Sequence, residues 1–151
     1  MQFADFEIRA WRKGADRVQL LVHRSPAGET AVPVEVRVPA RRLNALATSE
    51  GEFADFDGRR DDVGAQLGNI LFPAPVGRPL DDSLAALPRD CGLRVRLSLD
   101  DDLQAIPWEL AYRPPPQPTR SVLDGFVVLN PRISFVRGAP GSLPSRPAAE
   151  P

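Results

Sequence analysis

Residues 93–112 read Leu-Arg-Val-Arg-Leu-Ser-Leu-Asp-Asp-Asp-Leu-Gln-Ala-Ile-Pro-Trp-Glu-Leu-Ala-Tyr and carry the clearest structural pattern in the chain. Apolar residues at 93, 95, 97 and 99 alternate with polar ones, which is the period of a strand with one buried face. Three aspartates follow at 100–102. Because a run of like charge stays in water, we expect the strand to end there.

A tryptophan and a glutamate lie next between aliphatic residues, in the segment Ile106-Pro107-Trp108-Glu109-Leu110. We predict that this segment is a structural core motif, since tryptophan is the largest apolar group the chain can bury. A buried glutamate needs a partner, and arginine can bind a carboxylate bidentately. We therefore expect Glu109 to be largely buried and paired with Arg137 first or Arg94 second. The alternative is an exposed Glu109 beside the buried tryptophan.

The first part of the chain predicts an antiparallel β-meander. Residues 3–11, 17–24 and 31–38 each alternate apolar and polar side chains, and short turn-like segments separate them. Pro33 cannot donate a backbone hydrogen bond, so the third strand is expected at a sheet edge, or to begin at a bulge there.

Helices and further strands are predicted after the meander. Residues 40–49 fit a short helix, residues 61–72 fit a helix that ends at Pro73, and residues 79–87 fit a second short helix with Pro79 in its first turn. Residues 126–129 and 132–137 fit two more strands, and residues 50–60 a loop. Helices that directly precede a buried strand in the sequence indicate an α/β (α+β) class.

Composition excludes several classes of function. The net charge is −1, which gives no basis for binding nucleic acid. A single cysteine allows neither an internal disulfide nor a cysteine metal cluster, and it suits a reducing, cytoplasmic location. The sequence has no signal-peptide pattern and no apolar run near the ~20 residues of a membrane span.

Few residues could carry chemistry. His23 lies inside a predicted strand, and Cys91 lies just before one. Neither has the neighbours of a nucleophile–base pair, so we assign no catalytic residue. The aspartate pairs lack the spacing of a calcium loop, and Gly64 and Gly68 lie inside a helical pattern and not in a phosphate-binding loop. We therefore expect no metal site and no cofactor.

Four segments together resemble the N-terminal part of a CHAT domain: Gly92-Leu-Arg-Val-Arg-Leu-Ser-Leu, Ile106-Pro-Trp-Glu-Leu, Phe126-Val-Val-Leu-Asn-Pro and Ile133-Ser-Phe-Val-Arg137. CHAT domains are caspase-like cysteine peptidase modules of the caspase/separase clan. The resemblance covers roughly residues 60–138 and, more loosely, the first forty. The family's catalytic residues are a His followed by Gly at the end of one strand and a Cys at the end of a later one. His23 is followed by arginine and Cys91 precedes its strand, so neither matches.

The resemblance implies a non-catalytic scaffold of a bacterial, caspase-like protein linked to proteolytic switches such as defence. Residues 1–39 would form the meander, residues 40–137 the CHAT-like α/β region packed with it as one domain, and residues 138–151 a disordered tail or linker. Exposed strand edges at 126–137 would pair with the catalytic half, beyond residue 151 or on a partner chain. Two alternatives stay open. One is a stand-alone module that self-associates, as a homo-oligomer, or binds another protein; the other is an enzyme completed only by assembly with a separate catalytic chain.

Overall fold

Five strands in one mixed sheet form the framework of the chain. The computed structural model describes residues 1–29, 32–48, 59–114 and 125–138. Within them the strands are β1 (Gln2–Lys13), β2 (Arg17–Arg24), β3 (Val34–Arg37), β4 (Cys91–Leu99) and β5 (Ile133–Arg137). The helices are α1 (Ala40–Thr48), α2 (Arg59–Leu71) and α3 (Ala74–Ala86). Short 3-10 helices occupy Asp101–Leu103, Trp108–Leu110 and Val127–Leu129.

The strand order is β3-β2-β1-β4-β5. β1, β2 and β3 pair antiparallel, which confirms the predicted meander, with Pro33 just before the edge strand β3. β4 runs parallel to β1, and β5 runs parallel to β4. The predicted mixed α+β class is therefore confirmed, and β1 is the strand at which the antiparallel and parallel halves meet.

The period-two pattern places one continuous apolar face on this sheet. Ile8 in β1 lies opposite Val22 on one side and Leu97 on the other, and all three side chains are fully buried. Each such side chain stabilises the fold by about 1.5–3 kcal/mol relative to an exposed one. The opposite face carries ion-paired side chains instead, such as Asp5 beside Arg94 and Arg96.

All three helices contribute to the core on the apolar face. Buried leucines from α1 and α2, together with Val76 and Leu80 of α3, belong to the same cluster as the sheet residues. Among the described residues, no helix is both long and apolar enough to cross a membrane.

The third helix corrects the prediction for residues 79–87. It begins at Ala74, so Pro79 lies inside the helix and Pro75 occupies the first turn. Val76 and Leu80, one helical turn apart, are both fully buried, and their packing holds this first part of α3 in helical form despite the proline.

The predicted strand at residues 126–129 is wrong. Only Phe126 forms a β-bridge, with Tyr112, and Val127–Leu129 is a 3-10 helix. Leu129 donates its N–H to the carbonyl of Phe126 (3.1 Å), and Asn130 donates to Val127 (3.2 Å). A four-residue apolar run fits a strand and a buried turn equally well, so periodicity could not separate them. Most of the predicted loop at 50–60 and of the tail at 138–151 lies outside the described residues.

Candidate functional site

The segment that follows β4 folds back under the sheet and is held by Trp108. This side chain is 1% exposed, and its Nε1–H donates to the carbonyl of Leu103 at 2.9 Å. Ile106 is fully buried in the same cluster. The buried tryptophan therefore closes residues 103–108 into a compact turn beside the carboxyl end of β4.

Arg137, the last residue of β5, binds this turn through its whole guanidinium group. Its Nε donates to Oε1 of Glu109 at 2.5 Å, and Nη2 donates to Oε2 at 2.9 Å. Nη1 donates to the carbonyl of Gln104 (2.6 Å), and Nη2 also donates to the carbonyl of Ile106 (2.5 Å). Paired N–H donors on one carboxylate form the bidentate geometry in which arginine binds most strongly.

This arrangement sets the protonation of Glu109. The hydrogen bonds from Arg137 lower the pKa of the Glu109 carboxyl, and partial burial opposes them only in part. Glu109 is therefore an ionised partner at neutral pH, and its charge is neutralised by an arginine that belongs to the sheet.

Two expectations about Glu109 are wrong. Its side chain is 43% exposed and is not largely buried. Arg94 is not its partner, because Arg94 lies on the opposite face of β4, 3.7 Å from Asp5. Strand alternation puts Arg94 on the face away from Leu93 and Val95, whereas Arg137 shares the core side of β5 with Ile133 and Phe135.

β5 forms one edge of the sheet, and its backbone shows which groups point outward. Arg132 accepts from the N–H of Leu93 (2.7 Å), and Gly138 donates to Leu97 (2.8 Å). In a parallel ladder alternate residues bond to the same neighbour, so the N–H and C=O of Phe135 point away from β4. Within the described part of the chain, no strand lies beyond β5.

The side chains of β5 are incompletely covered. Ile133 and Phe135 face the core but are only partly buried, and Val136 on the other face is 37% exposed. The strand contains neither proline nor lysine, which commonly protect an edge from pairing, and its charged residue, Arg137, is bound to Glu109 at the carboxyl end of the strand.

The other edge of the sheet is protected. β3 follows Pro33 and carries Glu35 and Arg37, which pair with charged residues of the neighbouring hairpin: Arg17 lies 3.4 Å from Glu35, and Asp16 lies 3.8 Å from Arg37. Proline and inter-strand charges discourage the addition of another strand. The two edges therefore differ, and among the described residues β5 is the less protected of the two.

A cleft of 300 Å³ adjoins the amino end of β5. Leu80 and Leu84 of α3 form one wall, and the turn from Gly125 to Asn130 forms the other, with Ile133 between them. At its rim Arg113 donates to both carboxylate oxygens of Asp81, at 2.8 and 2.9 Å.

The structure keeps His23 and Cys91 apart. Cys91 lies opposite Gln2, whereas His23 is the extra residue at a bulge between Glu7 and Ile8. The two positions differ by about five strand residues, or about 16 Å along β1. Among the described residues, no cluster of His, Cys, Asp and Glu could hold a metal ion.

Arg132 is a positioning residue that the sequence analysis did not identify. Its Nε donates to the carbonyl of Cys91 (3.1 Å), and its Nη2 donates to Leu84 (3.1 Å), Leu87 (3.3 Å) and Pro88 (3.2 Å). It therefore caps the carboxyl end of α3 and fixes the start of β5 against it. No spacing in the sequence marks this role, since Arg132 lies more than forty residues from its partners.

The chain was also compared with known proteins. Protein-family models, curated proteins and solved structures give no match. The candidate site is thus defined by its geometry: a β5 edge that no described strand covers, the Arg137–Glu109 pair at one end and the cleft at the other.

Proposed function

We propose that this chain is the non-catalytic N-terminal scaffold of a CHAT-type, caspase-like cysteine peptidase. The outer edge of β5 receives the first strand of the catalytic half, which lies beyond residue 151 or on a partner chain. The observation that carries the proposal is the chemistry of β5: an edge strand with outward backbone groups and half-covered core-facing side chains. Strand addition to such an edge is a common mode of recognition between proteins.

The parallel order of β1, β4 and β5 supports this role. Parallel sheets normally have both of their faces covered by other elements, and in the described residues the face that carries Arg94 and Arg96 is not. A further strand would cover Ile133 and Phe135, and the outward N–H and C=O of Phe135 would gain partners. The added strand therefore completes a sheet that β4 and β5 begin.

The Arg137–Glu109 pair gives the edge a fixed end. Four hydrogen bonds attach the carboxyl end of β5 to the turn at 104–109. In the family that the sequence resembles, the catalytic His and Cys each follow a strand. If their strands continue the parallel order, both groups lie at the same end of the sheet as Arg137. The scaffold then supports the reaction centre and contributes no catalytic group and no cofactor to it.

The distance between His23 and Cys91 supports a non-catalytic role. They lie about 16 Å apart along the sheet, beyond hydrogen-bond reach. Peptidase activity would require residues that another segment provides.

The test is assembly with a catalytic half. The chain is co-expressed with the segment encoded after residue 151, or with the neighbouring gene product, and complex formation is measured by size-exclusion chromatography with light scattering. Val136→Lys places a charge on the exposed edge and is expected to abolish the complex. Val32→Lys is the matched control, because Val32 is 71% exposed and lies far from β5. Cleavage of a peptide library is expected only from the intact complex.

Two results would replace this proposal. A complex that survives Val136→Lys would show that β5 is not the contact. A stable dimer of the isolated chain that Val136→Lys dissociates would favour the stand-alone, self-associating module.

A further inference from the structure

The cleft next to Ile133 gives the β5 edge a means of selecting its partner. We propose that this cleft takes one uncharged aliphatic side chain from the strand that pairs with β5. The inference rests on the proposed strand addition and specifies which sequence the added strand carries.

Position is the first argument. Ile133 is both the first residue of β5 and part of the cleft lining. Neighbouring strands lie about 4.8 Å apart, and side chains on one face stand side by side. The residue of an added strand that lies level with Ile133, on the core side, would therefore enter the space between α3 and the turn at 125–130.

The lining decides the chemistry of that residue. Leu80, Leu84, Val127 and Ile133 provide apolar walls. The two charged residues of the lining, Asp81 and Arg113, are paired with each other by two hydrogen bonds. A charged side chain would find no free counter-charge in this lining, and its desolvation would oppose binding.

The same lining favours a strand over a small ligand. Asn130, the remaining polar side chain of the lining, already accepts the N–H of Arg132 at 2.9 Å. Pockets for small molecules need several convergent polar groups to orient the ligand. The N–H of Ile133 already bonds to the carbonyl of Asn130 (3.0 Å), so the nearest unused polar groups of β5 are the outward N–H and C=O of Phe135, and these are complementary to an extended chain.

The test uses the full chain and synthetic peptides. The probe is a fluorescein-labelled peptide, Lys-Thr-Val-Thr-Leu-Thr-Val-Thr-Lys, and binding is followed by fluorescence anisotropy. The variant Leu84→Phe fills the cleft and is expected to weaken binding about tenfold or more, the equivalent of losing one buried aliphatic side chain. Ala85→Phe adds the same ring at an exposed position of the same helix and is expected to leave binding unchanged.

A second variant distinguishes an effect on the cleft from misfolding, because it is expected to change which peptide binds better. Leu84→Ala enlarges the cleft and is expected to shift preference from the peptide with central leucine to one with central phenylalanine. A peptide with aspartate at the three apolar positions is expected not to bind.

The outcomes separate the two proposals. If Val136→Lys abolishes peptide binding and both Leu84 variants leave it unchanged, strand addition at β5 is supported and the cleft proposal is overturned. Equal binding of the aspartate peptide, or an equal loss from Ala85→Phe, also overturns the cleft proposal. If no peptide binds, or if Val136→Lys has no effect on binding, the proposal of strand addition at β5 and the cleft proposal are both overturned. Loss of binding in Leu84→Phe and in Val136→Lys, with the size preference of Leu84→Ala, supports both.

Discussion

Glu109→Gln tests whether the bidentate ion pair between Glu109 and Arg137 stabilises the fold. The substitution keeps the shape of the side chain and removes its charge. Arg137 retains its bonds to the carbonyls of Gln104 and Ile106. It exchanges two charge-assisted hydrogen bonds to Glu109 for one weaker bond to an amide oxygen.

The magnitude follows from the exposure of the pair. Breaking a buried ion pair costs about 3–5 kcal/mol, and an exposed pair contributes about 0.2–1 kcal/mol. Here 43% of the Glu109 side chain and 27% of Arg137 are exposed, so water screens part of the interaction. The bidentate geometry and the two further bonds of Arg137 place the loss between those limits, at about 1–2 kcal/mol. For a chain of this length the melting temperature would fall by about 3–6 °C.

The dependence on pH distinguishes the ion pair from packing. The pKa of Glu109 is lowered in the folded state, first by its hydrogen bonds from Arg137. A lowered pKa means that the stabilisation is fully present above the ordinary carboxyl pKa of about 4.3 and is lost as the pH falls through the folded value. The difference between wild type and Glu109→Gln is therefore expected to be constant near neutral pH and to shrink below about pH 4.

The assay is thermal and urea unfolding followed by circular dichroism at pH 7 and at stepwise lower pH. Glu35→Gln is the matched control, since Glu35 is 40% exposed and its contacts with Arg17 (3.4 Å), Gln19 (3.4 Å) and Lys13 (4.0 Å) are all long. That control is expected to change stability by less than about 0.5 kcal/mol. The reasoning fails if Glu109→Gln has the same melting temperature as wild type at pH 7. It also fails if the destabilisation persists undiminished in acid.

Three further substitutions test the packing around the site. In Gly68→Ala the new Cβ would lie 1.9 Å from the carbonyl oxygen of Tyr112, so α2 must move, and the urea midpoint is expected to fall by the equivalent of about 2–3 kcal/mol. Trp108→Phe removes the indole N–H from the carbonyl of Leu103, which keeps only the longer bond from the N–H of Ile106 (3.3 Å), and opens a cavity, at a cost of about 1–3 kcal/mol in equilibrium unfolding. Arg132→Met removes the cap from the carboxyl end of α3, and amide hydrogen exchange there is expected to accelerate while the amides of β1 keep their protection.

The sheet was the most predictable part of the structure. β1, β2 and β4 each have one continuous apolar face, and a shift of register by one residue would move that whole set away from the core. Helix boundaries were less certain, because prolines at 75 and 79 fit the first turn of a helix equally well. Only burial of Val76 together with Leu80 places the start of α3 at Ala74.

The sequence predicts that Glu109 forms an ion pair with an arginine. It does not predict how exposed the Glu109 side chain is. A glutamate beside a tryptophan, with arginines in nearby strands, indicated an ion pair. Alternation along β4 already places Arg94 on the face away from the apolar residues, and this signal was sufficient to exclude it. The exposure of Glu109 depends on how a turn lies against the sheet, and no periodicity encodes that.

Gly64 and Gly68 mark a tertiary contact in the sequence. The sequence does not show which segment makes that contact. Their spacing puts both on one face of α2, where a helical pattern would ordinarily carry larger residues. In the structure that face lies against residues 110–112, and Tyr112 donates its backbone N–H to Gly64 at 2.9 Å. The glycines allow the chain to return from the Trp108 turn close to α2, and this path leads into the wall of the cleft.

The contrast between the two sheet edges depends on topology and not on any single strand. Sequence alone identifies β3 as an edge, because Pro33 cannot join a ladder. It gives no such signal for β5, whose residues Ile133-Ser-Phe-Val-Arg137 would suit an interior strand. The strand order places this interior-like sequence at the boundary, with its backbone turned outward and its apolar side chains half covered. A strand with the composition of the interior, located at an edge, is the physical reason to expect that the sheet continues from β5 and not from β3.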